Sequence, residues 1–341
     1  MFNLDKIVRP NIQKLKAYCS ARDEFKGTAE VYLDANENPF GVLNRYPDPK
    51  QIKIKERLSE IKKVAENQIF IGNGSDEVID LAFRIFCEPS KDKALTFSPT
   101  YGMYDVSAGI NDVELIKQPL VNDFQISLNQ LEPYLDMEEV KIIFICSPNN
   151  PTGNCFDDET IEYILENFNG VVIIDEAYID FSSRASYSTK LEKYPNLIVS
   201  QTFSKAWGLA GVRVGAAYAN SEVIDLYNKV KPPYNVSTLN QEAVVASLDN
   251  LAQFEINKNI IINEKETLIK ALSDIKLVKK IYPTEANFIL IKVTDANVIY
   301  NKLVADKIIT RNRNTLVDNC LRITVGSIDE NKRLITALKS I

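Results

Sequence analysis

The sequence predicts an α/β fold: a large domain on a mostly parallel central sheet between helix layers, a small C-terminal α/β domain and an N-terminal arm. Three observations predict it. Short apolar, β-branched runs recur at 69–71, 94–97, 141–146, 171–174 and 197–200. Helical patterns separate several of them, as at 76–87 and 157–168, and strands alternating with helices build parallel sheets. The runs are apolar at successive positions, as strands covered on both faces require.

Taken in order, residues 1–30 are polar, broken by Pro10, and read as the arm. Segment 51–66 reads as an amphipathic helix with Ile54, Leu58 and Ile61 on one face. The strand and helix runs place the large domain at 31–238. After Pro232-Pro233 come a long helical stretch (239–275), a strand (287–293), a helix (295–306), a strand (320–325) and a last helix from Asp329, assigned to the small domain, 239–341.

The 341 residues suit about two domains. The composition, 45% hydrophobic and 25% charged, is that of a globular protein. A net charge of −6 argues against a broad nucleic-acid surface, so any anion site is local. No apolar run approaches the roughly 20 residues that span a bilayer, and the N-terminal residues do not read as a signal peptide. Cys19, Cys87, Cys146, Cys155 and Cys320 are odd in number and form no C-x-x-C pair. A disulfide framework or zinc site is not expected, and a reducing, cytoplasmic setting is. The chain contains no histidine. Proton transfer must therefore fall to Lys, Tyr, Asp, Glu or Cys.

Four segments carry chemistry. In SQTFSKAWGLAGVRVG (200–215), Lys205 stands among small and apolar residues, with Thr202 and Ser204 before it and Arg213 eight residues on. Desolvation and a nearby cation lower a lysine's pKa, as imine formation requires. The two hydroxyls and the guanidinium could bind a phosphate. Alone, the segment also fits a solvated loop lysine beside a structural arginine. In VVIIDEAYIDF (171–181) a buried strand ends in Asp175, placed to pair with a cationic ring nitrogen, and Tyr178 follows. A helix-capping aspartate is the plainer alternative. KIIFICSPNNPTGN (141–154) runs a strand into a rigid turn that presents Asn150. IFIGNGSDEVIDLAF (69–83) is strand, Gly-x-Gly turn and helix, with Ser75 expected to cap the helix and free N–H groups for a phosphate. Glu77 excludes a dinucleotide G-x-G-x-x-G fingerprint. Tyr101 in SPTYGMY could stack on a planar ring or pack in the core. Arg311 and Arg322, in IITRNRN and CLRITVG, are anion-clamp candidates or solvated strand residues.

Together with LDANENPFG (33–41), RYPD (45–48), GNGSDE (72–77), FCEP (86–89), PYNVS (233–237) and NFIL (287–290), these strings resemble the class I/II aminotransferases, fold-type I pyridoxal-phosphate enzymes. Within them the chain is most similar to the histidinol-phosphate aminotransferase family, over almost its whole length. The resemblance implies pyridoxal 5'-phosphate as cofactor and a ping-pong amino transfer from glutamate to imidazole acetol phosphate, giving 2-oxoglutarate and histidinol phosphate. It implies that Lys205 joins the cofactor as an imine and then moves the α-proton. Asp175 faces the ring nitrogen, Tyr178 and Asn150 the ring oxygen, and Tyr101 the ring face. Gly74, Ser75, Thr202, Ser204 and Arg213 belong with the phosphate, and Asp76 is expected among the cofactor-binding residues. The resemblance further implies that Tyr46 reaches the phosphate of a second subunit, and hence a homodimer with shared sites. Arg322, Arg311, Asn36 and Tyr18 fall to the substrate. The stretch NRNTLVDN between the arginines is short and leaves Arg311 and Arg313 as alternatives. An aromatic or broad-range aminotransferase, or a threonine-phosphate decarboxylase, would use the same scaffold. A non-catalytic cofactor-binding regulator would add a DNA-binding domain, for which no basic helix pair is present.

Overall fold

The computed structural model describes residues 2–18 and 30–341. The segment 19–29 of the expected arm, with Cys19, lies outside the described residues. The arm's start is not detached. Short helices Leu4–Ile7 and Pro10–Lys14 bring Val8 and Ile12 into a hydrophobic cluster with helix Ser75–Phe86.

The large sheet contains β1 (Ile69–Gly72), β2 (Lys93–Ser98), β3 (Glu114–Pro119), β4 (Val140–Cys146), β5 (Val171–Asp175), β6 (Leu197–Thr202) and β7 (Gly215–Ala219). Their order across the sheet is β1-β7-β6-β5-β4-β2-β3. All pairs from β6 to β3 are parallel, and β7 runs antiparallel to both its neighbours. Every residue of β5 and β6 is buried, which accounts for their continuous apolar runs. Each Ile, Leu or Val so buried stabilises the fold by roughly 1.5–3 kcal/mol. Helices cover both faces. Ile54 and Leu58 of helix Ile52–Lys62 join the cluster on one side, with Ile61 packed against it. Val78, Ile79 and Phe83 of helix Ser75–Phe86 lie on the other.

The small sheet is antiparallel, in the order β10-β11-β9-β8, from β8 (Val278–Ile281), β9 (Phe288–Val293), β10 (Arg311–Asn312) and β11 (Cys320–Thr324). The expected stretch 239–275 is two helices, Thr238–Leu248 and Leu251–Ser273. The Asn250 side chain accepts the N–H of Gln253 and restarts the helix. The first packs with the large-sheet cluster through Val244 and Leu248, and the second with the small-sheet cluster through Leu268 and Leu272. Four strands carry no apolar β-branched run and were not expected: β3, β7, β8 and β10. The helix expected at 51–66 stops at Lys62, because Lys63 adopts a left-handed conformation (φ +58°).

Candidate active site

Parallel strands all point their carboxyl ends the same way, and a pocket forms beyond them. It is lined by Ser75, Asp76, Tyr101, Cys146, Asn150, Asp175, Ala177, Tyr178, Thr202, Ser204, Lys205, Ala210 and Arg213. Residues picked out along the whole large domain of the sequence thus meet in one place.

Asp175 ends β5 and is buried. One oxygen accepts the Tyr104 hydroxyl at 2.7 Å and the other the Ala177 N–H at 3.1 Å. Burial pushes its carboxyl up to about 6, against the pull of these two donors. Tyr104 is itself locked, its ring stacked on Phe144 at 4.8 Å. Tyr101 meets Tyr104 edge-on and donates to Asp76 Oδ1 at 3.1 Å.

Lys205 follows β6, its Nζ 5.7 Å from the centre of the Tyr178 ring. Burial, then the charges of Arg322 and Arg213, hold its amine below the ordinary lysine value, with Asp175 opposing. Asn150 donates to the Tyr178 hydroxyl at 3.4 Å and accepts from Arg322 Nη1 at 2.5 Å. The small sheet thus reaches the pocket through Arg322 on β11. Phe288 on β9 packs edge-on against Tyr178 and 5.1 Å from the Arg322 guanidinium carbon.

At one end of the pocket lie Ser75, Thr202, Ser204 and Arg213, with Gly74 beside Arg213. Arg213 takes a left-handed conformation (φ +55°), donates to Ser204 Oγ at 3.5 Å and pairs with Asp76 at 3.3 Å. Contrary to expectation, Ser75 does not cap the helix. Gly74 holds the cap position at φ +80°, and Ser75 is the first helical residue. Ser75 lines the pocket. A Cβ on Gly74 would stand 3.0 Å from Arg213 Nη2, and one on Gly215 would collide with the Ser75 nitrogen. Gly215 of β7 therefore lets the turn approach the sheet, a requirement the sequence reading missed.

Two further residues were also missed. Tyr104 stood in the SPTYGMY string without a role. Asn149, fully buried, donates to the Pro99 carbonyl and Thr152 Oγ1 and accepts from Thr100 Oγ1, which ties the SPNNPTG turn to the Tyr101 loop. Only the unusual density of polar residues in a buried turn signals it.

The arginines converge. Arg311 pairs in register with Arg322, so their side chains leave the same face, and Arg313 follows two residues on. Arg311 is exposed, whereas Arg313 lines a cavity beside Tyr101 and Asn150. Burial, then Arg322 and Arg311, lower the Arg313 guanidinium to about 10. Nε of both Arg313 and Arg322 is buried without a hydrogen-bond partner.

Three expected residues are not brought to the pocket. Tyr46 stacks on Tyr234 and shares a separate groove with Asn36. Tyr18 is exposed. Segment 31–47, which bears Tyr46 and Asn36, has no buried residue.

The family model for class I and II aminotransferases matches residues 17–338. Histidinol-phosphate aminotransferases of Flavobacterium psychrophilum and Christiangramia forsetii are 51% and 52% identical to this chain. Both alignments cover 100% of this chain, and 99% and 98% of those proteins respectively. Among solved structures, the histidinol-phosphate aminotransferase from Clostridium acetobutylicum shares the fold at a TM-score of 0.80, with 23% identity over 90% of this chain and 97% of that one. That of Sinorhizobium meliloti, solved with pyridoxal-5'-phosphate, has a TM-score of 0.80 at 22% identity, over 90% of this chain and 89% of that one. The chain belongs to the class I and II aminotransferases, and within them to the histidinol-phosphate aminotransferases.

Proposed function

We infer that the chain transfers the amino group of glutamate to imidazole acetol phosphate, giving 2-oxoglutarate and histidinol phosphate, with pyridoxal phosphate as cofactor. The observation that carries the reading is a desolvated lysine amine set between a buried carboxylate and convergent arginines. The full-length relatives supply the substrate.

The pocket fits the cofactor on its own geometry. Gly74, at φ +80°, would set a Cβ 3.0 Å from Arg213 Nη2, and three hydroxyls accompany that guanidinium, a donor set for a phosphate. At the opposite end Asp175 offers a buried carboxylate to a cationic ring nitrogen. Tyr178 and Asn150 are placed for the ring oxygen, and Tyr101 for the ring face. When bound, the cofactor supplies an electron-withdrawing ring that takes up the charge left at the substrate's α-carbon.

The chain's own residues do the rest. Lys205 Nζ, its pKa lowered by burial and by Arg322 and Arg213, is the group that would accept the α-proton and return it. Asp175 would hold the ring nitrogen of the bound cofactor in its cationic form. Arg322, with Arg313 and Arg311 near it, binds a carboxylate in one half of the cycle and a phosphate in the other, so one pocket serves two substrates. The chain works as a homodimer. The exposed apolar residues Val31, Leu33, Phe40 and Val42, on the segment bearing Tyr46, support this. Four buried free thiols among the described residues suit a reducing cytoplasm.

Steady-state assays test the reading. Histidinol phosphate with 2-oxoglutarate should yield glutamate far faster than phenylalanine does. Faster turnover of phenylalanine, or release of carbon dioxide from threonine phosphate, would reassign the substrate.

A further inference from the structure

Three of the strings shared with the family have residues with no chemistry in the account above: Asp48 in RYPD, Glu77 in GNGSDE and Asn235 in PYNVS. They meet in one hydrogen-bond network, and Asn235 is its centre. Its Nδ2 donates to the Ile71 carbonyl at 3.0 Å and to Glu77 Oε2 at 2.8 Å. Its Oδ1 accepts from Lys231 Nζ at 3.2 Å and Gln51 Nε2 at 3.3 Å. Both donors and both acceptor sites of the amide are used, which fixes its orientation.

The two sides of the amide reach different places. Glu77 Oε2 also accepts the main-chain N–H of Asn73 at 2.5 Å, inside the turn that leads to Gly74 and Ser75. That turn has glycine at 72 and 74 and few intrinsic restraints, so the bonds to it decide its shape. On the other side, Lys231 and Gln51 each hold the Pro49 carbonyl at 3.0 Å, and Gln241 holds that of Asp48 at 2.9 Å. Asp48 in turn accepts the N–H of Ile52 at 2.7 Å and starts the next helix. Tyr46 lies two residues upstream, stacked at 4.3 Å on Tyr234, the chain neighbour of Asn235.

We propose that Asn235 is a positioning residue for the cofactor's phosphate, touching no ligand itself. It fixes the Gly72–Ser75 turn that aims main-chain N–H groups into the anion site, and it ties that turn to the segment bearing Tyr46. Among the other side chains only glutamine carries the same two donors and two acceptor sites, and it is one methylene longer. Aspartate keeps the two acceptors but loses both donors and sets a second carboxylate beside Glu77.

The proposal rests on the cofactor assignment above, and its test separates the two. The whole chain, freed of cofactor, is titrated by fluorescence with pyridoxal phosphate and with pyridoxal, which lacks the phosphate. Asn235→Ala should lose at least about tenfold in affinity for pyridoxal phosphate and keep that for pyridoxal within about twofold, the cost of misaiming one charged hydrogen-bond set. Equal weakening of both ligands, or of neither, overturns the proposal. If Asn235→Ala does not fold, Asn235→Asp is judged by the same comparison. Failure of the unaltered chain to prefer pyridoxal phosphate over pyridoxal would overturn the cofactor reading instead.

Discussion

Replacing Asp175 by asparagine should stabilise the cofactor-free protein while damaging it as an enzyme. Burial pushes the Asp175 carboxyl up to about 6, whereas in the unfolded chain it titrates near ~3.9. The folded state therefore holds this proton more tightly than the unfolded state. Below about pH 4 both states are protonated and the site costs nothing. Between about pH 4 and 6 the unfolded chain releases this proton while the folded chain keeps it, so the cost grows to about 3 kcal/mol and stays there at higher pH. The amide of the variant cannot ionise and still offers an oxygen to the Tyr104 hydroxyl, although its NH2 replaces the oxygen that accepts the Ala177 N–H. Urea unfolding of cofactor-free protein at about pH 7.5 should thus find Asp175→Asn more stable by up to about 3 kcal/mol. The difference should fade toward zero near pH 4. With pyridoxal phosphate bound, the order at the higher pH should reverse, because an amide offers no charge to the ring nitrogen. A variant less stable than the cofactor-free parent at the higher pH, or an equal difference at both pH values, would refute this reasoning.

Other perturbations have equally definite outcomes. Lys205→Ala should lower turnover at least about a thousandfold, read as glutamate formed, with unfolding by urea little changed. Arg322→Ala should move the acidic limb of the pH–rate profile to higher pH, because removing a cation beside Lys205 raises the amine's pKa. Arg313→Ala should raise KM about tenfold more for histidinol phosphate than for glutamate, since a phosphate carries nearly twice the charge of a carboxylate. Gly215→Ala should destabilise the chain by about 1–3 kcal/mol and weaken pyridoxal phosphate binding, because the new methyl meets the backbone at Ser75.

The legible part of the fold was its buried interior. β4, β5 and β6 are covered on both faces, so their composition alone announced them. β7, Gly-Ala-Ala-Tyr-Ala, was silent because close packing against the Gly74–Ser75 turn demands small residues with weak strand preference. β3 lies at the sheet edge, half exposed, and shows no continuous apolar run. At the site, Asp175, Asn150 and Lys205 were readable because each follows an obvious strand. Tyr104 and Asn149 were not, since their partners are 71 and 49 residues away in the chain. The short stretch NRNTLVDN could not choose between Arg311, on β10, and Arg313, just beyond its end. The groove holding Tyr46 and Asn36 lies apart from Lys205, a separation no local pattern encodes.

The central claim is that Lys205 and its surroundings take the amino group from histidinol phosphate through bound pyridoxal phosphate. Mixing cofactor-loaded protein with histidinol phosphate alone, while following the cofactor's visible absorbance, tests it directly. The absorbance should bleach in a single turnover and return on adding 2-oxoglutarate. An unchanged spectrum with histidinol phosphate, alongside rapid bleaching by an aromatic amino acid, would contradict it.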